Sequence, residues 1–192
     1  MRRIISHIER WPIAGTFRIS RSSLTEVVVV KVSITDGAHT GYGECRPYAR
    51  YNETAEGVCA QIATLEDKLH GLTTETLQDY LPAGAARNAL DCALWDLKAK
   101  SENKPIWELL NVPKPKPRIT AYTLSVDTPE NMAKAAAENH PFPVLKMKVG
   151  GQSALDCIEA VIQARPDAEL VIDANEALDI LALTRLQDRL SG

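Results

Sequence analysis

The spacing of apolar and polar positions changes rhythm along the chain. Residues 4–10 and 26–34 are rich in β-forming side chains, and the second segment carries the run Val27-Val28-Val29-Val30. Asp36-Gly37 then marks a tight turn. Residues 40–44 continue as a return strand, so the opening predicts a small antiparallel meander. The period then lengthens. Val58, Ile62, Leu65 and Leu69 recur at spacings of three and four and predict a helix over 54–69. Ala86, Leu90, Ala93, Leu94 and Leu97 predict a second helix over 85–100. Strands followed by helices point to an α+β domain.

The segment 112–117, with Pro113, Pro115 and Pro117 at alternate positions, cannot continue a helix and reads as an extended connector. It divides the chain into expected domains 1–112 and 113–192. Beyond it the rhythm alternates. Strands are expected at 118–126, 142–149 and 169–173, and helices at 153–164 and 178–190. Another helix opens at Thr128-Pro129-Glu130, where a capping residue precedes a proline at the first helical position. Strand–helix alternation at this spacing implies parallel strands joined by crossover helices. Three such units close no barrel and leave the last strand with an unpaired edge.

Composition narrows the function classes. The chain has 192 residues, 45% hydrophobic and 24% charged, as in ordinary globular proteins. A net charge of -3 without a basic tract gives no electrostatic case for nucleic acid or an anionic membrane. No apolar run approaches the roughly 20 residues of a membrane span, and His7, Glu9 and Arg10 interrupt any signal-like core at the start. Cys45, Cys59, Cys92 and Cys157 are widely spaced and form no C-x-x-C pair, which suits reduced thiols. A cytoplasmic location is the expectation. His7, His39, His70 and His140 show no ligand spacing, and Gly41-Tyr42-Gly43 lacks the third glycine and helix of a nucleotide loop.

Two strand ends carry the candidate chemistry. In Val144-Leu145-Lys146-Met147-Lys148-Val149 the side chains alternate between faces, so Leu145, Met147 and Val149 point one way and both lysines the other. Two ammonium groups on one inner face are disfavoured by desolvation and mutual repulsion, which favours the neutral amine a base requires. A solvated lysine face on an edge strand explains the same pattern equally well. The second strand, Leu170-Val171-Ile172-Asp173-Ala174-Asn175, ends in an acid, with Asn175 expected on the face of Asp173. That acid suits the carboxyl-end position where α/β folds place functional groups, or the N-cap of the next helix. The pair says more than either part. Lys148 and Asp173 lie 25 residues apart across one helix, as in a βαβ unit. A carboxylate able to hold a divalent cation beside an amine able to remove a proton suits enolate chemistry.

These residues, in this order, resemble the enolase superfamily and its muconate-lactonizing subgroup. Within it the chain is most similar to dipeptide epimerases of the L-Ala-D/L-Glu type. The likeness extends through Phe17-Arg18-Ile19-Ser20-Arg21, Gly41-Tyr42-Gly43-Glu44-Cys45, Arg87 to Asp96 and Thr120 to Ser125. It implies an α+β capping domain followed by a (β/α)8 TIM-type barrel, here incomplete with about three βα units.

By this resemblance Lys148 is the base at the substrate α-carbon, and Lys146 assists it and helps neutralise the carboxylate. Asp173 is a ligand of one Mg2+ ion, and Asn175 supports that site. Arg18, Arg21 and Thr123 are candidates for binding the substrate, with solvation as the alternative for the arginines. Tyr48-Ala49-Arg50-Tyr51 either closes the mouth or packs. The expected partner is a small dipeptide, with assembly of identical chains left open. The family's other metal carboxylates, its opposite-face lysine and its late acidic motif have no counterpart in these residues. The expectation is therefore a half-length chain with an incomplete metal site that does not epimerise dipeptides alone. Muconate cycloisomerase, o-succinylbenzoate synthase and N-acylamino-acid racemase activities share the same lysines and aspartate. A Schiff-base lyase and a non-catalytic remnant are the readings from other classes.

Overall fold

A computed structural model describes residues 2–19, 22–150 and 153–190. The chain divides into two compact units, one of residues 1–12 and 26–116, the other of residues 13–25 and 117–192.

The first unit is built on a three-stranded sheet of order β1-β2-β3, with β1 at Arg3–Ile19, β2 at Ser22–Asp36 and β3 at His39–Cys45. The Asp36-Gly37 turn forms as expected. Asp36 pairs with His39 across two residues, and Gly37 takes φ 58, which a residue without Cβ adopts without penalty. β1 and β2 run far past the segments that hydrophobicity marks. Pro12 and Gly15 are tolerated because β1 is an edge strand, where a missing ladder donor costs little.

Helices cover the sheet. α1 spans Ala55–Ala63, α2 Leu77–Tyr80, α3 Ala85–Glu102 and α4 Ile106–Leu109. The single helix expected over 54–69 is in fact two pieces, α1 and a 3-10 segment at Glu66–Gly71. The break falls at Thr64, whose hydroxyl donates to the Gln61 carbonyl at 2.7 Å while Leu65 N bonds the Ile62 carbonyl. The chain tightens there, and a stripe spaced by three and four survives because the 3-10 turn keeps Leu65 inward. α3 lies directly on β3. A Cβ at Gly43 would overlap the Ala89 carbonyl oxygen, and one at Gly41 the Ala93 carbonyl and Leu97 amide. Those glycines, facing Ala89 and Ala93, let helix and strand backbones approach. Val30, Val32, Ile34, Val58, Leu90 and Leu97 fill the core between them.

The second unit alternates strand and helix in the expected order. β4 is Ala121–Leu124, α5 Pro129–Glu138, β5 Val144–Lys148, α6 Ala154–Ala164, β6 Glu169–Asp173 and α7 Ile180–Leu190. The strands form a parallel sheet of order β4-β5-β6, in the manner of the opening strands of a barrel. Thr128 caps α5 by accepting from Asn131 N at 3.3 Å, with Pro129 at the first helical position. Leu145, Met147 and Val149 are buried among Met132, Ala136, Ile158 and Val161. Arg165, buried at the end of α6, donates to the carbonyls of Ala136, Asn139 and Phe142 and forks onto Asp167. It thereby ties two helix ends to the start of β5. Among the described residues no helix is long and apolar enough to cross a membrane.

Candidate active site

The face of β5 opposite its buried residues carries Val144, Lys146 and Lys148, all half-buried. Parallel pairing sets their neighbours. Lys146 stands between Thr123 on β4 and Val171 on β6, and Lys148 is directly opposite Asp173. Beyond β5 the ladder continues, with Val149 N donating to the Asp173 carbonyl at 3.2 Å. The carboxyl ends of β5 and β6 are thus locked in register, and both lysines meet one carboxylate.

Asp173 Oδ2 accepts from Lys148 Nζ at 2.7 Å and lies 2.9 Å from Lys146 Nζ. Its other oxygen accepts from Asn175 N at 3.0 Å. The hydrogen bonds from Lys148 and then Lys146 hold the Asp173 carboxyl far below the usual carboxylate range. A negative charge between two ammonium groups also offsets their mutual repulsion. The lysines differ in setting. Lys148 is 11% exposed and Lys146 37%. Lys148 has a second acceptor, Asn175 Oδ1 at 2.9 Å. Lys146 lines an open cleft of about 810 Å3 with Asp173, Asn175, Val171, Leu178 and Leu186.

Asn175 reaches Lys148 by a route other than strand alternation. β6 ends at Asp173, and Asn175 and Glu176 both take left-handed conformations, φ 47 and 64. The period-two argument therefore does not apply to Asn175. A left-handed turn, which asparagine tolerates better than most residues, brings its side chain back over the strand end. The Asp-x-Asn spacing was the available signal; the direct bond to Lys148 was not legible in it.

The remaining candidates are dispersed. Thr123 is half-buried beside Lys146 in the sheet register. Arg18 lies near the end of β1, within the second unit, 3.4 Å from Asp127 Oδ2, and its carbonyl accepts from Val126 N. It is half exposed and, among the described residues, is not joined to the lysine cluster by a bond of its own. Arg21 falls outside the described residues. Asp127 was missed by the sequence reading, although an acid before Thr128-Pro129 is a helix-start signal. It accepts from Thr128 N and Asn131 Nδ2, bonds that with Arg18 lower its carboxyl below the usual range. The segment Tyr48 to Tyr51 forms a 3-10 turn with an edge-to-face contact between its two tyrosines.

Asp173 is a hard-oxygen donor of the kind a magnesium ion takes, but that ion requires near-octahedral oxygen coordination. Among the described residues no three His, Cys, Asp or Glu side chains converge. One carboxylate with both oxygens engaged does not amount to a magnesium site by itself.

Residues 1–111 match the model of the mandelate racemase / muconate lactonizing enzyme N-terminal domain. The chain is 42% identical over 180 residues to the L-Ala-D/L-Glu epimerase of Escherichia coli K12, covering 92% of this chain and 56% of that protein. A crystal structure of an enolase family member from Agrobacterium tumefaciens, with homology to dipeptide epimerases and with bound sodium and L-Ala-L-Glu, superposes with a TM-score of 0.92. It is 43% identical, and the match covers all of this chain and 60% of that one. The dipeptide epimerase of Enterococcus faecalis V583, complexed with Mg and L-Leu-L-Tyr, superposes with a TM-score of 0.89 at 26% identity, covering 98% of this chain and 57% of that one. The chain thus spans somewhat over half the length of these relatives. By this match the chain belongs to the mandelate racemase / muconate lactonizing enzyme family of the enolase superfamily.

Proposed function

We propose that this chain carries the proton-abstracting strand ends of a dipeptide epimerase of the L-Ala-D/L-Glu type, with residues 1–112 as its capping domain and 113–192 as the first part of a TIM-type barrel. The observation that supports it most is the meeting of Lys146 and Lys148 on one Asp173 oxygen.

The reaction inverts a carbon bearing a hydrogen next to a carboxylate. Removing that hydrogen as a proton puts charge onto the carboxylate oxygens, forming an enolate. Lys148 takes the proton from one face. Lys146 faces the cleft and offers its charge where negative charge develops. Asp173 holds both amines in place and, where the rest of a magnesium site was supplied, would be one ligand of an ion whose charge stabilises an enolate; Asn175 would support that ligand. Because the described residues offer one such carboxylate, no step is derived through the ion. Arg18, Arg21 and Thr123 are assigned to the substrate. For Arg18 this requires release of Asp127, an exposed pair worth little and easily exchanged.

One base on one face can exchange an α-hydrogen with solvent without inverting the carbon. The test is incubation of the 192-residue chain with L-Ala-L-Glu and magnesium in deuterium oxide, read by mass spectrometry and chiral chromatography. The expected result is deuterium uptake at the α-carbon with no D-product, and with loss of uptake in K148A. Absence of uptake at every magnesium concentration would overturn the reading in favour of a non-catalytic role. Borohydride trapping of a carbonyl substrate on the chain would favour a Schiff-base lyase.

A further inference from the structure

We infer that Asn175 is a positioning residue for Lys148, distinguishing it from Lys146 as the base, and that the left-handed turn at 175–176 exists to deliver this contact. The inference rests on the proposed proton abstraction for its catalytic consequence but not for its geometry.

Asp173 treats the two lysines alike, since both ammonium groups sit within 3 Å of the same oxygen. A carboxylate shared in this way cannot decide which amine is held fast. The asymmetry comes from Asn175, whose amide oxygen accepts from Lys148 Nζ at 2.9 Å. Its backbone N–H holds the far oxygen of Asp173 at 3.0 Å. One residue therefore fixes the carboxylate from behind and the amine from the side. With two acceptors and 11% exposure, Lys148 has one defined position for its amine, whereas Lys146, 37% exposed, has one acceptor among the described residues.

The backbone carries a cost for this. Asn175 and Glu176 are consecutive non-glycine residues with φ 47 and 64. Left-handed conformations are disfavoured for residues with a Cβ, and persist where the surroundings over-determine them, commonly at functional sites. An ordinary extended residue at 175 would continue the strand direction and carry its side chain away from Lys148. Asparagine combines tolerance of this conformation with an uncharged acceptor.

Three variants separate contact from backbone. N175G keeps the left-handed turn and removes the acceptor, N175D keeps both, and N175S keeps an oxygen too short to reach. Thermal denaturation first confirms that each chain folds; N175S is the second acceptor-deleted variant where N175G does not. The primary readout is NMR relaxation of the lysine terminal methylenes. In N175G or N175S the order parameter of Lys148 is expected to fall from the rigid toward the flexible range, by roughly a third, with Lys146 unchanged and N175D close to the parent. The second readout is α-deuterium uptake, expected to lose roughly 10–100-fold in kcat in N175G and N175S with KM within about twofold. Equal mobility of Lys148 in all four chains would overturn the inference, as would parallel loosening of Lys146. If no chain shows uptake, the proposed function fails while the relaxation data still decide the role of Asn175.

Discussion

Asp173 is the residue on which most of the site's electrostatics converge. Replacing it by asparagine removes the charge between two amines and the acceptor both use, and D173N is expected to lose about 1–3 kcal/mol of stability near neutral pH. Its depressed carboxyl gives the pH dependence a definite sign. A group whose folded pKa lies below its unfolded value stabilises the fold above the unfolded value, about 3.9 for aspartate. That contribution shrinks as pH falls below about 4 and vanishes only once pH has passed through the depressed folded value. The stability gap between parent and D173N, measured by denaturant unfolding, should therefore be full at pH 6 and narrow progressively below about pH 4. A gap that widened on acidification would contradict the ion pairing.

At the same scale the thiols provide a control on foldedness. Burial, reinforced by Glu53, pushes the Cys45 thiol up to about 11, and burial likewise raises Cys157. Cys92 is exposed on α3. Maleimide tagging at pH 7.5 is expected to modify Cys92 quickly in the native chain, and Cys45 and Cys157 only on unfolding. Rapid tagging of Cys45 in native buffer would argue against the buried core of the first unit.

Among elements, the packing of α3 on β3 is the most demanding. The glycines of Gly41-Tyr42-Gly43 look like punctuation in the sequence, yet their reason is close approach to the helix backbone. G43A must separate strand and helix and is expected to cost at least about 1–3 kcal/mol, a Tm loss of several degrees. G37A meets no neighbour and bears only the left-handed penalty of about 1–2 kcal/mol, which G37N should largely avoid. A scan in which G37N is tolerated and G43A is not would separate the two requirements. Element identities were largely visible in hydrophobic spacing: β5, α6 and β6 fall close to where alternation and helical stripes put them. The break at Thr64 was not, because a 3-10 turn preserves the same inward spacing. Nor was the length of β1 and β2, since residues 13–25 belong to the second unit, and local patterning carries no record of such docking.

For the whole molecule, the chain supplies one capping sheet with its helices and three parallel strands, and the relatives it matches are close to twice as long. The pairing of one carboxylate with two lysines is complete within the described residues; a set of magnesium ligands is not.

The sequence alone determined the strand–helix order of the second unit and the alternation that turns both lysines of β5 away from its buried side, because side-chain periodicity is a local property of backbone geometry. It also determined that an acid ends the next strand. The tertiary structure decided that β5 and β6 pair with Lys148 opposite Asp173, that both amines share one oxygen, and that a left-handed turn returns Asn175 to Lys148. It also decided that Arg18 pairs with Asp127. Those facts depend on register, on φ values past the strand end and on contacts between residues far apart in the chain, none of which spacing along one strand encodes.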